Sequence, residues 1–322
     1  SEARDQISFN LSGPLSLFVS VWFFSALELR AHEFERIVLA FIAPAVGIAT
    51  LALSSIISAS SIQWTSASNF VASGGFGPNQ VSSALALGAL LIFLLLIAGR
   101  TNARIQTVLG LVAVWLLGQT ALTFSRGGFV TTSVAAIAAL LHALFTGRRR
   151  GKALLLAAAS IVLVAFVLFP YLDDFTGGAL RARYADTGLT GREALMQEDL
   201  EVFLSHPLTG VGPGMAKAYH ETNAAAHTEF TRMLAEHGLM GAFAMLLLVA
   251  LAARAYWVPD RSMLARTVVA SLVLWAFLYM FHSSMRLVSV SFAFGLAFAA
   301  FPDFRDDAEA TLGDESSTGQ LA

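Results

Sequence analysis

The chain has 322 residues, 56% of them hydrophobic and only 13% charged, with a mean hydropathy of +0.68. Soluble domains carry about 25% charged residues, so so large an apolar surplus cannot be hidden in one soluble core and marks a membrane protein. The net charge of −2 offers no footprint for nucleic acid, and the lack of cysteine excludes disulfides, thiolate zinc sites and a cysteine nucleophile.

The sequence opens on Ser1-Glu2-Ala3-Arg4 rather than Met and shows no signal peptide, which reads as a segment missing from the front. A helix needs about 20 apolar residues to cross a bilayer. Such runs lie near 12–29, 37–58, 79–98, 105–123, 129–146, 153–170, 239–257, 267–282 and 287–301. They predict an all-α polytopic transmembrane bundle of about nine spans. Basic residues sort the connections: Arg30 and Arg36, Arg100 and Arg104, Arg148 to Arg150 with Lys152, then Arg254, Arg261 and Arg266 fall in alternate loops. By the positive-inside rule those loops are cytoplasmic. The expected organisation is six spans over 1–170, an extracytoplasmic loop over 171–232, three spans over 233–302, and an acidic, disordered cytoplasmic tail over 303–322.

Within the outer loop, Thr190-Gly191-Arg192-Glu193 fits a capping box. It predicts a helix with Met196, Leu200, Phe203 and Leu204 on one face, stopping before Pro207. "HPLTGVGPGM" then reads as a turn. Asn223 is expected to cap a second helix that Gly238 ends. An amphipathic helix pair resting on the membrane is the plain structural reading. His220-Glu221 starts like a zinc-protease motif, but position 224 is Ala. His220, Glu221, His227 and Glu229 lack a recognisable ligand spacing, so no metal site and no cofactor are expected.

Arg126 lies between two apolar spans with no acidic residue in its segment, "LTFSRGGFV". A lone arginine there ordinarily snorkels to headgroups. Arg181, Arg183, Arg192, Arg286 and His227 fall on the same side, however, and together they outline a basic outward-facing site. Arginine's planar fork suits phosphate oxygens, and a neutral histidine suits a general base. The residues alone therefore point to binding of, and reaction with, an anionic lipid-linked group.

"HPLTGVGPGM" followed by "HTEFTRMLAEHGLMG", together with "TFSRGG" upstream, resembles the O-antigen ligase/polymerase family of bacterial envelope membrane proteins. Arg126 matches the family's Ser-Arg-Gly arginine, Arg192 its Gly-Arg arginine, and His227 its loop histidine, with Glu236 and Gly238 in the motif behind. The motifs cover about 120–245. Thr228 stands where Asn is common, and Phe230 with Thr231 around the usual Leu; both bear on acceptor contacts. About a dozen spans are usual in the family, against nine read here.

The resemblance implies an inner-membrane enzyme working on the extracytoplasmic face. It would move a glycan from an undecaprenyl-pyrophosphate carrier to an acceptor hydroxyl, on a glycan or lipid-linked acceptor, by a metal-independent, inverting transfer. Arg126 and Arg192 would clamp the pyrophosphate, with Arg181, Arg183 and Arg286 as further binding residues, and His227 would take the acceptor's proton. Ligase action, repeat-unit polymerisation and protein glycosylation all remain open. A lipid-linked polysaccharide transporter fits less well, because it should carry ionisable residues at midplane, and here Glu28, His142 and His282 lie near span ends.

Overall fold

The computed structural model describes residues 2–65, 67–98, 102–146, 150–186, 192–222, 228–259, 261–282 and 287–302. Among them the chain is all-helical apart from one isolated bridge, Glu28 to Ala300. The helices are Glu2–Ser25 (α1), Ala31–Ser58 (α2), Pro78–Ala98 (α3), Ala103–Leu122 (α4), Arg126–Thr146 (α5), Arg150–Leu163 (α6), Phe169–Phe175 (α7), Ala179–Ala185 (α8), Arg192–Ser205 (α9), Glu229–Tyr256 (α10), Met263–Tyr279 (α11) and Val288–Leu296 (α12). A π-helical turn, Val164–Leu168, joins α6 to α7. The expected tail, 303–322, lies outside the described residues.

A helix stands at each of the nine apolar runs, and the count of nine crossings is not confirmed. Among the described residues, six stretches are long and apolar enough to span: α2, α3, α4, α5, Ala158–Phe175 across α6 and α7, and α10. With 17 residues, α11 is shorter. With nine, α12 rises only about 14 Å, half the hydrocarbon thickness. It closes against α1 instead, where a Cβ on Gly295 would come within 2.6 Å of the Ser20 side chain.

The centre of the bundle is α3, apolar on every side and almost wholly buried, as a helix surrounded by others must be. Small and hydroxyl residues bring its neighbours close, since lipid supplies no water to satisfy polar groups. Thr132 Oγ1 on α5 donates to the Ala86 carbonyl at 3.2 Å and accepts from Trp275 Nε1 of α11 at 2.8 Å. Ser271 Oγ donates to the Ala135 carbonyl at 3.1 Å. Gly128 lies so close to α3 that a Cβ there would collide with Ser82, including its backbone.

Two local expectations change. The buried face of α9 is Leu195, Asp199 and Val202, whereas Leu200 and Leu204 point outward. Asp199 decides the rotation, because its carboxylate is hydrogen-bonded beneath the helix to His220 and Thr231. The second helix begins at Glu229 under a Thr228 cap, not at Asn223: Thr228 is extended and its hydroxyl accepts from the Thr231 amide. Asn223 itself, like Thr190, lies outside the described residues.

Gly238 ends the first helical run of α10, as expected, and a second run continues directly beyond it across a kink. Its φ of 59° and ψ of −138° belong to glycine. The kink frees the carbonyls of Ala235 and Glu236, which accept from the Val211 and Gly212 amides at 3.0 and 2.9 Å, while the Leu239 amide donates to the Pro207 carbonyl at 2.8 Å. The glycine-rich "HPLTGVG" segment is therefore a backbone clasp around the bend. A Cβ on Gly238 would lie 2.5 Å from the Pro207 oxygen.

Candidate anion site at one end of the bundle

The α4–α5 turn, the starts of α3 and α10 and the end of α11 lie at one end of the bundle, joined by hydrogen bonds such as Glu229 amide to Met280 carbonyl at 2.8 Å. The turn between α4 and α5 is tight, and Phe124 takes a positive φ of 58° to make it. That conformation costs a bulky residue about 1–3 kcal/mol. Burial holds it: Phe124 is fully enclosed and stacks on Trp64 with centroids 5.3 Å apart. The next residue, Ser125, donates to Asn79 Oδ1 at 2.7 Å, and its carbonyl accepts from Ser82 at 3.1 Å. The Ser-Arg-Gly-Gly run thus has a structural reason at each step, with Gly127 making room for His282, whose Nε2 would lie 2.5 Å from an added Cβ.

Arg126 is the first residue of α5, and Arg192 the first of α9. Both stand at the positive end of a helix, where anions are favoured. Arg183 comes from α8, which starts at left-handed Gly178. Two residues apart on a helix point to nearly opposite sides, so Arg183 turns inward and Arg181 outward. Arg181 is exposed and paired with Asp173 Oδ2 at 3.1 Å, whose other oxygen accepts from the Arg181 amide at 2.9 Å.

Arg126, Arg183 and Arg192 come together. Arg126 donates to the Asp186 carbonyl, Arg183 Nε to the Phe124 carbonyl at 3.0 Å, and Arg192 Nη1 to His282 Nδ1 at 2.6 Å. Burial pulls Arg192 below the usual guanidinium range, and the charges of Arg126 and Arg183 lower it further. Arg183 is lowered by burial and by Arg126, with Asp186 opposing. Arg183 is buried, and its Nη1 has no hydrogen-bond partner among the described residues. The Tyr184 hydroxyl beside it is in the same state. Burial pushes that phenol up, so it stays a neutral donor. Clustered cations with unsatisfied buried donors fit an anion with several oxygens.

His227 and Arg286 lie outside the described residues; His227 directly precedes the Thr228 cap. Two networks behind the cluster escaped the sequence reading. His220 Nε2 meets Asp199 Oδ1 at 2.9 Å, both side chains wholly buried, and Thr231 donates to Asp199 Oδ2 at 2.7 Å. Burial raises the Asp199 pKa, against the hydrogen bonds from Thr231 and His220. On α10, Arg232 is gripped by Glu229 at 2.5 Å and Glu236 at 3.0 Å. The i, i+3, i+7 spacing of those three residues was the available signal.

Fold and site together define a multi-pass membrane protein with a cluster of arginines at one end of its bundle. Residues 111–246 match the family model described as O-antigen ligase, which bears out the resemblance read from the motifs. The matched segment holds Arg126, Arg183, Arg192 and the α9–α10 clasp. The match supports an activity of the O-antigen ligase/polymerase type for the chain. No curated protein matches the chain.

Proposed function

We propose that the chain is an O-antigen ligase-like glycosyltransferase that moves a glycan from undecaprenyl pyrophosphate to an acceptor hydroxyl on the outer face of the inner membrane. The observation that carries this reading is the trio Arg126, Arg183 and Arg192, with a buried guanidinium nitrogen left unsatisfied. Such a trio suits a pyrophosphate, whose charge grows as it leaves; donors fixed in advance act most strongly there. Arg286 and the exposed Arg181 are proposed as further donor-binding residues.

In the reaction, the acceptor oxygen bonds to the anomeric carbon from the face opposite the pyrophosphate. The carbon–oxygen bond to the carrier breaks, and its electron pair stays on the pyrophosphate, where the arginines stabilise it. His227 takes the acceptor's proton as general base. The configuration inverts, and no metal is required.

Purified protein in proteoliposomes, given lipid-linked glycan and acceptor, tests the roles. His227→Ala is expected to abolish transfer with donor affinity retained, and transfer is expected to survive EDTA. Full activity in His227→Ala would move the base elsewhere, and loss in EDTA restored by one divalent ion would end the arginine account.

A further inference from the structure

Arg192 is held by an imidazole rather than a carboxylate. Its Nη1 lies 2.6 Å from His282 Nδ1, and the charged groups acting on it are Arg126 and Arg183, with Tyr279 as the counterweight. A guanidinium has donors and no acceptor. His282 Nδ1 must therefore accept, which fixes the ring as neutral, with its proton on Nε2. The ring is set for this from three sides. It lies 5.2 Å from the Tyr279 ring, over Gly127, where only a missing side chain admits it, and at the end of α11 beyond the Tyr279 carbonyl that accepts its amide at 2.9 Å.

We infer that His282 is a positioning residue: as a neutral acceptor it aims the Arg192 guanidinium into the anion cluster without cancelling its charge, and its protonation releases that arginine. The inference rests on the proposed reading of the cluster as the pyrophosphate site. A carboxylate at this place would hold Arg192 more tightly, but it would also neutralise the charge that the ligand needs. An imidazole holds it and leaves the charge intact. Arg192 from α9 and Tyr279 on its own helix meet the ring, and the cations acting on that arginine are Arg126 from α5 and Arg183 from α8. Among the described residues no carboxylate acts on Arg192, so a protonated His282 would face that cation with no acceptor left on Nδ1.

The test is binding of undecaprenyl pyrophosphate to nanodisc-embedded protein between pH 8 and pH 5, for wild type, His282→Asn, His282→Ala and Arg192→Ala. An asparagine places an acceptor oxygen near the Nδ1 position and does not titrate. Wild-type affinity should fall as pH drops through the range in which imidazoles charge, about 7 to 5. His282→Asn should bind like wild type at pH 8 and hold its affinity to pH 5. His282→Ala should bind about tenfold more weakly at pH 8, as loss of one hydrogen bond to a charged group predicts. The lipid's own titration is common to every variant, so the difference between wild type and His282→Asn isolates the imidazole. Identical pH profiles for those two would overturn the inference, as would wild-type affinity in His282→Ala. If Arg192→Ala weakens binding while the His282 variants change nothing, only the role of His282 falls. Should Arg192→Ala bind like wild type, the pyrophosphate reading falls and the inference with it.

Discussion

Arg232 and Arg192 are both largely withdrawn from water, yet they are held in opposite ways. Arg232 lies between Glu229 and Glu236 on its own helix, two carboxylates for one guanidinium. Arg192 meets a neutral imidazole and two further cations. The first arrangement is complete in itself: charge is compensated and each fork is engaged. The second leaves its positive charge without a carboxylate among the described residues. On the proposed reading, compensation separates an arginine that builds the bundle from one that serves a substrate.

The difference is open to breakage from either side. Arg192→Ala or Arg126→Ala should reduce transfer by about 100-fold or more, the scale seen when a donor to developing negative charge is removed, with the folded protein retained. Arg→Lys at either position should recover only part of this, since an ammonium lacks the bidentate fork; steady-state transfer in proteoliposomes reads both. Arg232→Ala should act on stability instead. It leaves two buried carboxylates uncompensated, a loss of about 3–5 kcal/mol, visible as a lowered unfolding temperature in detergent. An unchanged unfolding temperature in Arg232→Ala would erase the distinction.

A smaller effect is expected from packing. Gly128→Ala sets a methyl group against the Ser82 backbone, and overpacking of this kind costs about 1–3 kcal/mol. Because the same contact seats Arg126, transfer should fall together with thermal stability. Arg181→Ala should do least. The side chain is 72% exposed in an ion pair with Asp173, and such surface pairs contribute between about 0 and 1 kcal/mol; donor affinity should stay within about threefold.

Much of this was legible beforehand, and what was missed has a common cause. Long apolar runs announced the helices, and Pro207 ended α9 where expected. The arginines that converge were all named from their side of the membrane. Local pattern could not fix where α12 stops, because apolar composition continues through the turns that follow it. Nor could it set the rotation of α9, where the buried face is chosen by Asp199 reaching His220, 21 residues along the chain. A hydrophobic stripe predicts burial only when apolar packing decides it. The separation of Arg181 from Arg183 was readable in principle, once both were placed on one short helix. The contact between Arg192 and His282 was not, since 90 residues separate them and only tertiary packing brings them together.

The central claim is that the Arg126–Arg183–Arg192 cluster recognises the carrier's pyrophosphate. It is tested most directly by comparing the affinities of undecaprenyl pyrophosphate and undecaprenol for wild type and for the Arg126→Ala, Arg192→Ala double variant. Wild type should prefer the pyrophosphate by a wide margin, and the double variant should lose most of that preference while binding undecaprenol as before. A preference that persists undiminished in the double variant would contradict the account.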